Sequence, residues 1–159
     1  MRQSLDLMEK SLPAGHPRIA TTLTNLGRYL IDTGAWAGAE THLLKALAIE
    51  ESVYGPGHPA PAQVRNNLGD LYNAMGRWSE ARAQFKKSIE VLTSRLGPEH
   101  TDLLIPLVGD GTAALADGKI KEATDAFQQA VTIDLAQRTR GAGLTHLARG
   151  GMMAERQAY

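Results

Sequence analysis

The stretch HPRIATTLTNLGRYLIDTGAWAGA, beginning at His16, returns forty-two residues later as HPAPAQVRNNLGDLYNAMGRWSEA, beginning at His58. Asn67, Leu68 and Gly69 answer Asn25, Leu26 and Gly27, while Gly76, Trp78 and Ala81 answer Gly34, Trp36 and Ala39. His100, Gly111, Gly118 and Ala123 keep the register a third time. An ungapped period of this length confines the chain to architectures in which each unit buries its apolar face against the next. Read backwards, SLDLMEKSL at Ser4 to Leu12 aligns with ALAIEESVY at Ala46 to Tyr54. The predicted division is an array over residues 1–137: the second half of a truncated unit (1–15), repeats at 16–57 and 58–99, and a degenerate repeat at 100–137. After that the register is lost, and residues 138–159 are expected to form a C-terminal cap or a flexible tail.

Each unit reads as two helices. Proline after histidine suits the first helical position, where a missing N–H has no partner to lose. Leu23, Leu26, Gly27 and Leu30 then recur at three- and four-residue steps, the spacing of one buried helical face. Gly34, Gly76 and Gly118 are placed to end these first helices in the left-handed conformation. The second helix starts at once, with Trp36, Ala39, Leu43, Ala46, Leu47 and Ile49 as its stripe, and stops at Gly55-Pro56 or Gly97-Pro98. Glycine inside a helix costs about 1 kcal/mol, so the recurrence of Gly27 at Gly69 predicts a close helix–helix contact there.

Composition narrows the class further. Lys plus Arg equal Asp plus Glu at 17 each, so no global field favours nucleic acid or an anionic surface. The chain has no cysteine, which removes disulfides, thiol catalysis and cysteine-based zinc sites. It shows no apolar signal segment and no run of eighteen apolar residues. The expectation is an all-α cytoplasmic protein with no cofactor, no membrane segment and no nucleic-acid partner.

With these residues in place, the sequence resembles tetratricopeptide repeats, and its forty-two-residue period with HP openings and NLG cores resembles the kinesin light chain type. The resemblance covers residues 1 to about 137 and implies a right-handed superhelix, an α-solenoid of antiparallel helix pairs, whose first helices line a concave groove. It implies a protein-interaction module that takes a peptide segment of a partner in that groove. The groove-facing residues are then Thr21, Thr24, Asn25, Arg28 and Asp32 in the first repeat, and Gln63, Asn66, Asn67, Asp70 and Asn73 in the second. The peptide-binding set is Thr24, Asn25, Arg28, Gln63, Asn66, Asn67, Asp70 and Asn73. By the same resemblance, Asn25 and Asn67 hold the backbone of the ligand, since an amide offers both a donor and an acceptor. Gly109 stands where a third such asparagine would be.

Sharper chemistry finds little support. His16, His58 and His100 lie one repeat apart, and packed layers about 8–10 Å apart cannot bring them to one ion whose ligands sit within about 4 Å of each other. Capping or packing at the helix entries is their expected task, and no metal site is expected. Gly109-Asp110-Gly111 lacks the preceding strand and following Lys-Ser/Thr of a phosphate loop and reads as decay of a terminal repeat. Trp36 and Trp78 read as packing residues. No nucleophile triad, HExxH or paired carboxylate is found, so no enzymatic activity is expected. Pro106 pushes Ile105 toward extended geometry, so the first helix of the third repeat is expected to be short and to begin near Pro106.

A second class of function comes from the N-terminal end. Leu5, Leu7, Met8 and Leu12 lie on a second helix without the first helix that would cover them, so they form a candidate oligomer interface. The alternative reading is therefore a structural or self-associating segment, or a regulatory array within a larger signalling or enzyme-bearing protein.

Overall fold

The computed structural model describes residues 11–13 and 15–156, with side chains up to residue 140. Leu5, Leu7 and Met8 lie outside the described residues, whereas Leu12 packs half-buried against the core of the first repeat. Six α-helices follow: α1 (Pro17–Asp32), α2 (Trp36–Tyr54), α3 (Ala60–Ala74), α4 (Trp78–Leu96), α5 (Leu104–Ala116) and α6 (Ile120–Arg156), with a 3₁₀ turn at Thr101–Leu103 before α5.

The three histidines open the three units in one way. His16 Nδ1 accepts from the Arg18 N–H at 3.2 Å, His58 Nδ1 from Ala60 at 3.1 Å and His100 Nδ1 from Asp102 at 3.2 Å. Each imidazole thus satisfies an amide that the first helical turn leaves without a carbonyl. Gly34, Gly76 and Gly118 end the first helices at φ +77°, +72° and +75°. The following amides of Ala35, Arg77 and Lys119 each bond back 2.8 Å to the carbonyls of Leu30, Tyr72 and Ala114. This six-to-one closure needs a left-handed residue at its corner, which glycine supplies without a Cβ clash.

The glycines inside the helices answer to packing. A methyl group on Gly27 would stand 2.6 Å from Leu43 Cγ, one on Gly69 2.5 Å from the Phe85 ring, and one on Gly111 2.6 Å from the Phe127 ring. The first helix of each repeat therefore rests its backbone on a large side chain of its own second helix. Leu23, Leu43, Leu68, Leu71 and Phe85 are fully buried in the resulting core.

Curvature follows from which helices touch. Among the described residues, the backbone of α1 lies close against that of α3 and α3 against α5, while the backbones of α2 and α4, and of α4 and α6, stay further apart. Units closer along their first helices than along their second helices bend toward the first. The face carried by α1, α3 and α5 is the concave one.

The third repeat departs from expectation in two ways. Its α-helix begins at Leu104 rather than Pro106, behind the 3₁₀ turn, and Ile105 is helical. Pro106 falls in the first turn, where no carbonyl four residues back awaits its missing N–H. The helix is shorter, with 13 residues against 16 in α1 and 15 in α3. Nor is Gly109-Asp110-Gly111 mere decay. A methyl group on Gly109 would lie 2.3 Å from the Phe85 ring, so that ring sits between Gly69 of its own repeat and Gly109 of the next. Asp110, where Leu26 and Leu68 stand in the earlier repeats, is buried and paired with Arg82 at 2.9 Å. Arg82 also bonds Glu122, joining α4, α5 and α6.

At the far end α6 does not stop where α2 and α4 do. The register position of Gly55 and Gly97 is Thr139, with no glycine-proline pair after it, and the backbone stays helical to Arg156. Gln137 and Arg140 on this helix hold Glu99 of the preceding loop, Gln137 Nε2 donating to its carbonyl at 3.1 Å.

Candidate functional site

The concave face is a grid with one row per first helix. Thr21, Gln63 and Ile105 share a register position, as do Thr24, Asn66 and Val108, Asn25, Asn67 and Gly109, and Arg28, Asp70 and Thr112. Side chains three or four residues apart on a helix share a face. Each helix therefore presents its residues as a rail along the groove.

Three clefts lie between the rails. Between α1 and α3, Thr21, Thr24, Asn25, Glu50, Tyr54 and Gln63 line a space of about 210 Å³. Between α3 and α5, Gln63, Asn66, Leu92, Asp102 and Ile105 line one of about 410 Å³. Further along the same pair of helices, Asp70, Asn73, Ile105, Val108, Gly109 and Thr112 line one of about 570 Å³. Six of the eight residues in the peptide-binding set thus gather here, namely Thr24, Asn25, Gln63, Asn66, Asp70 and Asn73, together with the groove-facing Thr21. Arg28 and Asn67 line none of these three clefts.

The environments of the eight differ. Asn25, Arg28, Gln63 and Asp70 are exposed and Asn73 is half-buried. Thr24 is buried, its hydroxyl donating to the Ala20 carbonyl at 2.8 Å, a bond internal to the helix. Asn66 and Asn67 keep only 8% and 7% of their surface exposed. Asn66 Oδ1, Asn67 Nδ2 and Asn73 Oδ1 are buried without a hydrogen-bond partner among the described residues. Asn73 Nδ2 donates to the Gly109 carbonyl at 3.3 Å, tying α3 to α5.

Electrostatics in the groove are local. Loss of hydration in the cleft raises the Asp70 carboxyl above its ordinary value, partly offset by the charge of Arg28. Burial likewise raises Glu50, against the pull of His58. Sequence reasoning passed over the third rail, where Ile105, Val108 and Thr112 replace the polar positions of the earlier repeats. The signal was present, because each follows a named groove residue by one period.

Comparison with known proteins bears on this geometry. The sequence matches the family described as Tetratricopeptide repeat over residues 18–94 and again over 66–136. The chain belongs to the tetratricopeptide repeat family. Similar solved structures carry the same fold. BtubC (BKLC) from P. vanneervenii superposes with a TM-score of 0.79 at 20% identity, covering 86% of this chain and 55% of that one. A Podosopora anserina array assigned as a kinesin light chain, with nearly identical TPR-like repeats, gives 0.71 at 23% identity, covering 86% and 64%. A substituted form of the same array gives 0.74 at 22%, covering 87% and 65%. The chain spans little more than half the length of the first of these. The comparison with curated proteins gave no match. A tetratricopeptide array is a protein–protein interaction scaffold. No helix among the described residues is long and apolar enough to cross a membrane.

Proposed function

We propose that this tetratricopeptide array is a cytoplasmic, non-catalytic module that captures a peptide segment of a partner protein along α1, α3 and α5. One observation carries the reading. Asn66 and Asn73 on the groove helix α3 line the two clefts against α5, and an amide offers both a donor and an acceptor to a peptide backbone. The backbone of an extended segment offers alternating donors and acceptors at the spacing such side chains need. Asn25 and Gln63 stand beside them in the neighbouring clefts, available to the same ligand. Residues 1–137 act as one array in this reading.

The test begins with random dodecapeptides displayed on phage and selected on the full chain. The enriched sequences are then measured by fluorescence polarisation against Asn25→Ala/Asn67→Ala, with helicity followed by circular dichroism. Weaker capture at unchanged helicity is the expected result. Unchanged affinity would refute the groove as the site.

A second reading, self-association or regulation within a larger protein, draws on the other end of the array. Val131 is exposed, whereas Leu47 is buried and Ile89 half-buried at the same register position under the repeats that follow them. A mass by light scattering that drops from a dimer to a monomer in Val131→Glu supports it; a wild-type monomer removes self-association.

A further inference from the structure

Within the groove, the space between α3 and α5 differs in kind from that between α1 and α3. Ile105 and Val108 are 62% and 47% exposed, at positions held by Thr21 and Thr24, then Gln63 and Asn66, in the earlier repeats. The two clefts here share Ile105 as a common wall. Their charged lining residues are Asp70 and Asp102, and neither cleft is lined by Lys or Arg. Asp102 Oδ2 stands 3.6 Å from His100 Nδ1, the atom that accepts from the Asp102 amide, at the entry to the helix. The Asp70 carboxylate has no hydrogen bond or ion pair among the described residues. Asn73, one turn further along the same helix, donates from Nδ2 to the Gly109 carbonyl and so ties the two walls of the cleft together.

We propose that this part of the groove recognises a segment of a partner protein in which a Lys or Arg side chain lies beside a large apolar one. The cation pairs with Asp70, while the apolar side chain covers Ile105 and Val108. The inference rests on the groove reading above and specifies its ligand. Charge complementarity selects this occupant: carboxylates beside an apolar wall repel an acidic segment and leave an uncharged polar one without a counter-charge. The same loss of hydration that raises the Asp70 carboxyl strengthens its attraction for an incoming cation, because Coulomb energy grows as the local dielectric falls. Arg28 faces Asp70 from α1 and limits the cationic preference to the α5 side of the groove.

The dodecapeptide selection tests this when the enriched sequences are read for charge and hydrophobicity. Lys or Arg adjacent to Trp, Phe, Leu or Met is the expected enrichment. In a selected peptide, exchanging that cation for Glu weakens binding about tenfold, the scale of one charge-assisted contact. Asp70→Lys reverses the order of the Lys and Glu peptides, Asp70→Asn makes them nearly equal, and Ile105→Ser weakens both. Suppose the selected peptides carry no cation, or Asp70→Asn leaves the preference intact, while Asn25→Ala/Asn67→Ala still weakens capture. This inference then fails and the groove stands. Selected peptides indifferent to every groove substitution, or no enrichment at all, overturn both.

Discussion

Arg82 and Asp110 pair at 2.9 Å with side chains only 7% and 9% exposed, one charge from α4 and the other on the α5 position where earlier repeats carry leucine. Removing one member of a buried pair strands the other, whereas replacing both with apolar groups is often neutral. Breaking a buried pair costs about 3–5 kcal/mol, and Asp110→Asn should cost about 3 kcal/mol, the low end, because Glu122 still holds the guanidinium. Arg82→Leu/Asp110→Leu should recover most of the loss. Urea denaturation of the three chains decides it, and a double variant no better than the single would refute the account.

Phe85 constrains two glycines at once. A Cβ at Gly109 would stand 2.3 Å from its ring, and overpacking of that kind costs about 1–3 kcal/mol. Helix propensity returns up to about 1 kcal/mol for Gly→Ala. Gly109→Ala is expected to lower stability by about 1–2 kcal/mol, and Phe85→Leu, which copies Leu43 of the first repeat, to relieve it. Thermal unfolding of the single and double variants measures this; a stabilised single variant would show that the ring moves aside freely.

The three histidine caps are equivalent enough to be tested as a set. His16→Ala and His100→Ala should each cost about 1 kcal/mol, the usual loss for a helix cap, and the asparagine variants much less. His58→Ala should cost more, since its ring also stacks on Tyr54 at 4.9 Å between centroids. Equal stabilities for the Ala and Asn variants would show that the imidazoles do not act as caps.

Asp70 should carry a pH signature of opposite sign to a salt-bridged carboxylate. Its folded-state pKa is raised above the ordinary 3.8. Between the two values the folded chain therefore holds more protons than the unfolded one, and stability falls as pH rises through that window. Above it the penalty is constant. Asp70→Asn removes the ionisation, so it should be more stable than wild type near about pH 7 and lose that margin toward about pH 4. Guanidinium denaturation at both values checks the sign, and the cost of the gain is the cationic preference of the groove.

The sequence by itself determined the repeat, its helix pairs and their ends. His-Pro openings, glycine stops and three- and four-residue apolar spacing all act within a few residues, through backbone geometry and capping that need no distant partner. Gly27 and Gly69 were legible as close contacts because an unfavourable residue recurred at one position. Only the tertiary structure decided what the third repeat means. Pro106 is harmless because the helix starts two residues before it, Gly109 answers to a ring twenty-four residues away, and Asp110 is matched by an arginine on another helix. Which groove residues are buried, which amide atoms lack a partner, and that Ile105 and Val108 form an apolar wall opposite Asp70 depend likewise on how one repeat lies against the next. Side-chain partnership across a helix interface is set by three-dimensional packing, and spacing along a single helix holds no record of it.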